Sequence, residues 1–249
     1  MNPFTLSGKR ILVTGASSGI GRACAILAAE LGANVVLTGR RLEALEETRL
    51  RMTNSDAQVV IAGDITSFDF VRRLVGEAGR IDGFVHAAGI GPMLPVSMLT
   101  AEHVESVMRT NYHSFLELMK YYSKSKYHGE KFSVVAVSSV SACVGWPGGS
   151  VYCGSKGALC ATVRALAVEL APKGIRANSV CPSNIKTPMF DTGAVEMNGD
   201  VALAELLKKQ PLGLGLPEQV AAPVCFLLSD AASFITGISL PVDGGYLAQ

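Results

Sequence analysis

R-I-L-V-T-G-A-S-S-G-I-G-R-A, running from Arg10 to Ala23, decides the fold of this 249-residue chain. A short apolar run leads into a turn carrying Gly15, Gly19 and Gly21, and an alanine-rich helix follows. Missing side chains let the backbone close on a pyrophosphate, while the helix's first N–H groups and positive dipole end face the anion. By physics this is a dinucleotide site, although three glycines could also serve only to pack helix on strand. The letters G-A-S-S-G fit a second pattern, the G-x-S-x-G elbow of hydrolases with Ser17 as nucleophile. That chemistry needs a histidine late in the chain, and none lies beyond His128.

Outward from this stretch, short apolar runs alternate with helix-periodic segments. Strands are expected at Arg10–Val13, Asn34–Thr38, Gln58–Ala62, Gly83–His86, Phe132–Val137, Arg176–Cys181 and Gly237–Pro241. Helices are expected at Gly19–Leu31, Arg41–Thr53, Ser67–Gly79, Thr100–Ser125, Ser150–Ala171 and Pro217–Ser229. The alternation predicts an α/β fold, a doubly wound parallel sheet of about seven strands with helices on both faces. No linker or repeat interrupts it, so residues 1–249 read as a single domain. Only Thr187–Leu216 breaks the rhythm, and it reads as a substrate lid with an apolar wall of Met189, Phe190, Met197, Leu203, Leu206, Leu207, Leu212, Leu214 and Leu216.

Composition excludes several classes of function. The formal net charge of +1 gives no basic footprint for nucleic acid or an anionic membrane. No apolar run is long enough to span a bilayer, and the start lacks a secretory pattern, so a cytoplasmic protein is expected. The six cysteines form no C-x-x-C pair and read as reduced thiols. The four histidines have no metal-ligand spacing, so no metal is expected. A small molecule is the natural partner.

Two further places carry chemistry. The second strand ends in V-V-L-T-G-R-R, with Gly39 where a carboxylate would hold an adenosine ribose and with Arg40 and Arg41 after it. Arginine there suits a 2′-phosphate, which favours NADP(H) over NAD(H). Tyr152 and Lys156 stand four apart in Y-C-G-S-K on a helical stretch, so their side chains share one face. Bringing a tyrosine from its usual pKa to near neutrality takes about 4 kcal/mol of phenolate stabilisation. Lys156 is the obvious ammonium.

From Lys9 to Tyr246 the chain resembles the short-chain dehydrogenase/reductase family, in its compact Rossmann-like form that includes 3-oxoacyl reductases. The resemblance implies that Thr14–Gly21 binds the cofactor, with Gly15, Ser17, Ser18, Gly19, Ile20 and Gly21 in contact. It implies Tyr152 and Lys156 as the acid/base pair, Ser139 of A-V-S-S-V-S as the residue orienting the carbonyl, and Asn111 of R-T-N-Y as the fourth catalytic member. Asp64 and Ile65 of G-D-I-T would lie beside the adenine, and Ala88 and Gly89 of H-A-A-G would let the cofactor approach. In C-P-S-N-I-K-T, Pro182, Ile185 and Thr187 would hold the nicotinamide.

Two positions depart from the family pattern. His86 stands for an asparagine and reads as a structural histidine, while Ser183 stands for a glycine and would be strained if φ there were positive. The implied activity is hydride transfer between NADP(H) and a ketone or secondary alcohol, in a homotetramer or homodimer. Two alternatives stand beside it: an NAD(H)-preferring dehydrogenase of a sugar, polyol or cyclic alcohol, and a catalytically silent cofactor-binding sensor or scaffold.

Overall fold

In the computed structural model, which describes residues 2–196 and 208–249, seven parallel strands form one sheet in the order β3-β2-β1-β4-β5-β6-β7. The strands are β1 Arg10–Thr14, β2 Asn34–Gly39, β3 Val59–Ala62, β4 Ile81–His86, β5 His128–Val137, β6 Ile175–Pro182 and β7 Ser239–Val242. Each lies within a few residues of its sequence expectation. Among the described residues no helix is long and apolar enough to cross a membrane.

Strand alternation sends successive side chains to opposite faces, and both faces are covered. Ile11, Val13, Val35 and Leu37 pack with α1 (Gly19–Glu30) and the helix Pro217–Leu228, here α8. Leu12, Val36, Phe84 and Val134 pack with α3 (Phe68–Ala78), α5 (Ser114–Tyr122) and α6 (Ser150–Leu170). α1 buries alanines rather than bulky residues, so it sits close to the sheet. A Cβ on Gly21 would strike the carbonyl of Gly15, which makes glycine obligatory at that approach.

Local signals set several helix starts. The Ser67 hydroxyl accepts from the Phe70 N–H at the head of α3, and Thr100 and His103 form a reciprocal capping box at α4 (Ala101–Met108). The short α2 spans Leu42–Leu50.

Two expectations need correction. The helix expected over Thr100–Ser125 is interrupted by a π-helical turn at Arg109–His113, which separates α4 from α5 and carries Asn111. The segment expected to be irregular after Thr187 contains α7, Pro188–Glu196, and its far arm returns through a parallel bridge between Ile185 and Gly215. Met197, Leu203, Leu206 and Leu207 lie outside the described residues.

Phe115 is fully buried, with its ring centroid 6.1 Å from that of Phe84 and 5.4 Å from that of His86. Phe115→Ala is expected to lower the unfolding free energy by about 3–5 kcal/mol, read from the urea midpoint at unchanged m-value. Leu50→Ala, at an exposed position at the end of α2, is expected to change it by less than about 0.5 kcal/mol.

Candidate active site

Strand order reverses between β1 and β4, and in open α/β sheets the crevice at such a point receives the ligand. A cavity of about 970 Å³ opens there. All the residues expected at the cofactor line it, from Gly15 to Thr187, together with Ser139, Tyr152 and Lys156.

The cofactor side fits a dinucleotide on the chain's own geometry. Gly15 and Gly19 hold φ of +66° and +52°, and a Cβ on Gly15 would come within 2.8 Å of the Ala87 carbonyl. Ser18, at the N-cap of α1, makes no side-chain cap bond, and the first turn holds no acidic residue. The positive helix end is therefore left for an external anion. Arg40 and Arg41 line the cavity beyond the β2 end, where the Arg41 Nη2 is 3.4 Å from Ser17 Oγ. Asp64 also lies in the wall, its carboxyl held below the usual range chiefly by the Thr66 N–H, with help from the Thr66 hydroxyl and Arg40.

On the chemical side, the Lys156 ammonium donates to the Val137 carbonyl at 2.8 Å and stands 5.6 Å from the Tyr152 ring centroid. Burial pulls the lysine down to about 8 and pushes the Tyr152 phenol up to about 12, while the Ser139 hydroxyl pulls the phenol partly back. In the protein alone desolvation sets the phenol above its ordinary value, and the lowering that is present comes from Ser139 and not from Lys156. Ser139 Oγ contacts the Ser141 hydroxyl at 3.1 Å, and Ser141 in turn accepts from Trp146 Nε1 at 3.1 Å. Ser138, also in the cavity wall, donates to the Lys156 carbonyl at 2.9 Å, which distinguishes its hydroxyl from that of Ser139.

Asn111 does not line the cavity. It is fully buried, its amide donating to the Ile90 carbonyl and Ser155 Oγ, both at 2.9 Å, and accepting from the Ile90 N–H at 2.8 Å. Ser155 sits on α6 between Tyr152 and Lys156, so Asn111 grips the helix that carries the pair.

His86 is structural, as its sequence context suggests. Its Nε2–H donates to the Asn111 carbonyl at 3.2 Å, which leaves Nδ1 to accept the Thr14 hydroxyl at 3.2 Å. Burial first, and the nearby Lys156 second, push its pKa down to about 3. Ser183 is not strained: the described non-glycine residue with positive φ is Asn54. Its hydroxyl instead bonds Gln210 Oε1 at 2.8 Å.

Sequence reasoning missed much of the substrate end. Met93, Arg109, Val144, Trp146 and Tyr246 line the cavity together with Met189 and Phe190. They come from five separate chain segments with no shared motif, and Tyr246 is close to the C-terminus.

A family model described as Enoyl-(Acyl carrier protein) reductase matches residues 15–247. The chain is 37% identical to L-rhamnose 1-dehydrogenase (NAD(P)(+)) of a Sphingomonas species, over 96% of each chain. It is 34% identical to the 3-oxoacyl-(acyl-carrier-protein) reductase FabG of Rickettsia conorii, over 97% of this chain and 98% of the relative. The crystal structure of a short-chain type dehydrogenase/reductase from Mycobacterium marinum superposes with a TM-score of 0.91 at 33% identity, covering 100% of this chain and 99% of that one.

The buried imidazole makes a signed prediction. An unfolded histidine takes its proton near pH ~6.5, whereas native His86 stays neutral down to about 3. Between those values the unfolded chain holds more protons, so the contribution of His86 is present above pH ~6.5 and is lost as pH falls. The difference in unfolding free energy between wild type and His86→Asn should therefore change by about 1.4 kcal/mol per pH unit through the middle of that window. A pH-independent difference would contradict a neutral buried ring.

Proposed function

The chain belongs to the short-chain dehydrogenase/reductase family and is an NAD(P)-dependent oxidoreductase, and from that premise we propose that it moves a hydride between NADP(H) and a ketone or secondary alcohol with Tyr152 as acid/base. The observation that carries this reading is the convergence of Ser139, Tyr152 and Lys156 on the wall of the cavity that begins at the glycine-rich turn. When bound, the cofactor supplies the hydride and, in its oxidised form, a positive ring beside the phenol. Ser139 and Tyr152 hydrogen-bond the carbonyl oxygen, Tyr152 delivers the proton in reduction, and Lys156 holds the nicotinamide ribose. Asn111 acts at one remove, through Ser155, by fixing the helix on which Tyr152 and Lys156 stand.

NADP(H) preference is carried by Arg40 and Arg41 at the adenine end and by the absence of a carboxylate at Gly39. The substrate end is walled by Met93, Val144, Trp146, Met189 and Phe190, which favours a ketone with an apolar flank over a bare polyol. The chain works as one catalytic domain, with the segment from about Thr187 to Leu216 as its lid. Exposed Val168 and Phe234 suit burial against a second copy, in keeping with a cytoplasmic homotetramer.

Tyr152→Phe is expected to lower turnover by about 100-fold or more while leaving NADPH binding intact; near-normal turnover with any reduced ketone would end the assignment. Substrates should be sought in a panel of cyclic ketones, acyl thioesters and keto sugars with NADPH and NADH side by side. Tight NADPH binding without turnover across that panel would favour the silent scaffold. Arg40→Ala should weaken NADPH by about tenfold or more and leave NADH nearly unchanged, since a charge-assisted contact to phosphate is lost. Equal effects on both cofactors would refute the phosphate contact.

A further inference from the structure

Gln210 is 2% exposed, yet it lies in the far arm of the lid segment Thr187–Leu216, in a stretch with no motif. Its side chain is fully used. Oε1 accepts from Ser183 Oγ at 2.8 Å, from the Asn184 N–H at 3.2 Å and from Asn184 Nδ2 at 3.3 Å. Nε2 donates to the Asn184 carbonyl at 3.1 Å and to the Gly213 carbonyl at 2.6 Å. A buried primary amide satisfied on both ends joins two chain segments with a fixed geometry.

Ser183 extends the joint to a third segment. Its single hydroxyl proton is shared between Gln210 Oε1 and the Asp243 carbonyl, the latter at 2.9 Å. Asp243 in turn accepts from the Gly245 and Leu247 N–H groups, holding the C-terminal turn that brings Tyr246 to the cavity. Around the amide, Lys186 N–H donates to the Gly215 carbonyl at 2.8 Å and Leu212 N–H to the Gly244 carbonyl at 3.1 Å. Ser183 and Asn184 are themselves part of the cavity wall, beside Ile185 and Thr187.

We infer that Ser183 and Gln210 form a latch, with Gln210 a positioning residue that sets the nicotinamide end of the cavity and ties it to the base of the lid and to the C-terminal turn carrying Tyr246. The inference rests on the NADP(H) reading above. A glycine at position 183, as in the family pattern, would supply no hydroxyl, so the three-way joint belongs to this chain's own sequence. Because the latch touches only the loop Pro182–Thr187 and its two partners, it acts on the nicotinamide half of the cofactor. The glycine-rich turn and the arginines at the adenine end lie outside it.

The test uses binding alone, on the full chain, with two probes. Calorimetric titration of NADPH and of adenosine 2′,5′-bisphosphate, which lacks the nicotinamide, is compared for wild type, Gln210→Leu and Ser183→Ala. Expected is an NADPH affinity lowered about tenfold in Gln210→Leu and less in Ser183→Ala, with the bisphosphate unchanged in both. A purely structural role would weaken both probes together, and that result, or none at all on NADPH, overturns the latch. Should Gln210→Leu fail to fold, Ser183→Ala carries the same comparison, since it leaves the other bonds of Gln210 in place. Wild-type protein that binds neither probe overturns the cofactor reading and the latch with it, whereas normal wild-type binding with unaltered variants overturns the latch alone.

Discussion

The arrangement depends on one buried hydroxyl. Thr14 Oγ1, at the end of β1, accepts from the Ala87 and Ala88 N–H groups at 3.2 Å each and gives its proton to His86. His86 passes the connection to the Asn111 carbonyl, and Asn111 passes it through Ser155 to the helix of Tyr152 and Lys156. The turn that would bind phosphate and the helix that would move the proton are thus joined by neutral, satisfied groups in the core. Breaking any link would leave a polar atom buried and unpaired, which costs about 1–3 kcal/mol. The departure at His86 is accommodated because an imidazole, like an amide, can donate and accept at once.

Electrostatics follow from the same burial. The protein alone disfavours charge on both members of the pair, since desolvation lowers Lys156 to about 8 and raises Tyr152 to about 12. Such a site is built to change when a charged ligand enters, because a positive ring beside the phenol acts at short range in a medium that screens it poorly. Behind the lysine, Cys160 Sγ lies 3.2 Å from Ser138 Oγ and 3.8 Å from Cys181 Sγ, and the two thiols partly offset the desolvation of Lys156.

Where the chain's reading came closest was in pieces held by local physics. β1, its glycine turn and α1 were legible because strand, turn and helix signals run consecutively from Arg10 to Glu30. Arg40, Asp64, Ala88 and Gly89 were legible for a related reason, each following the end of a recognisable strand in β2, β3 or β4. The π turn at Arg109–His113 was not, since one extra residue in a helical turn leaves the apolar periodicity of Thr100–Ser125 nearly intact. Gln210 was invisible for a different reason: a glutamine before a proline reads as surface until Ser183, Asn184 and Gly213 close around it.

By itself the sequence determined the order of elements, the parallel doubly wound sheet and most of the residues that line the cavity from the glycine-rich turn to Tyr152 and Lys156. Periodicity, glycine conformations and fixed spacings are local and survive without contacts. Only the tertiary structure decided what each hydroxyl of Ser138, Ser139 and Ser141 bonds, which tautomer His86 adopts, and that Asn111 serves as a clamp. It also decided that Trp146, Phe190 and Tyr246 share one wall. Those outcomes depend on partners tens to hundreds of residues away, where pairing of buried polar atoms and filling of space, rather than any local preference, select the arrangement.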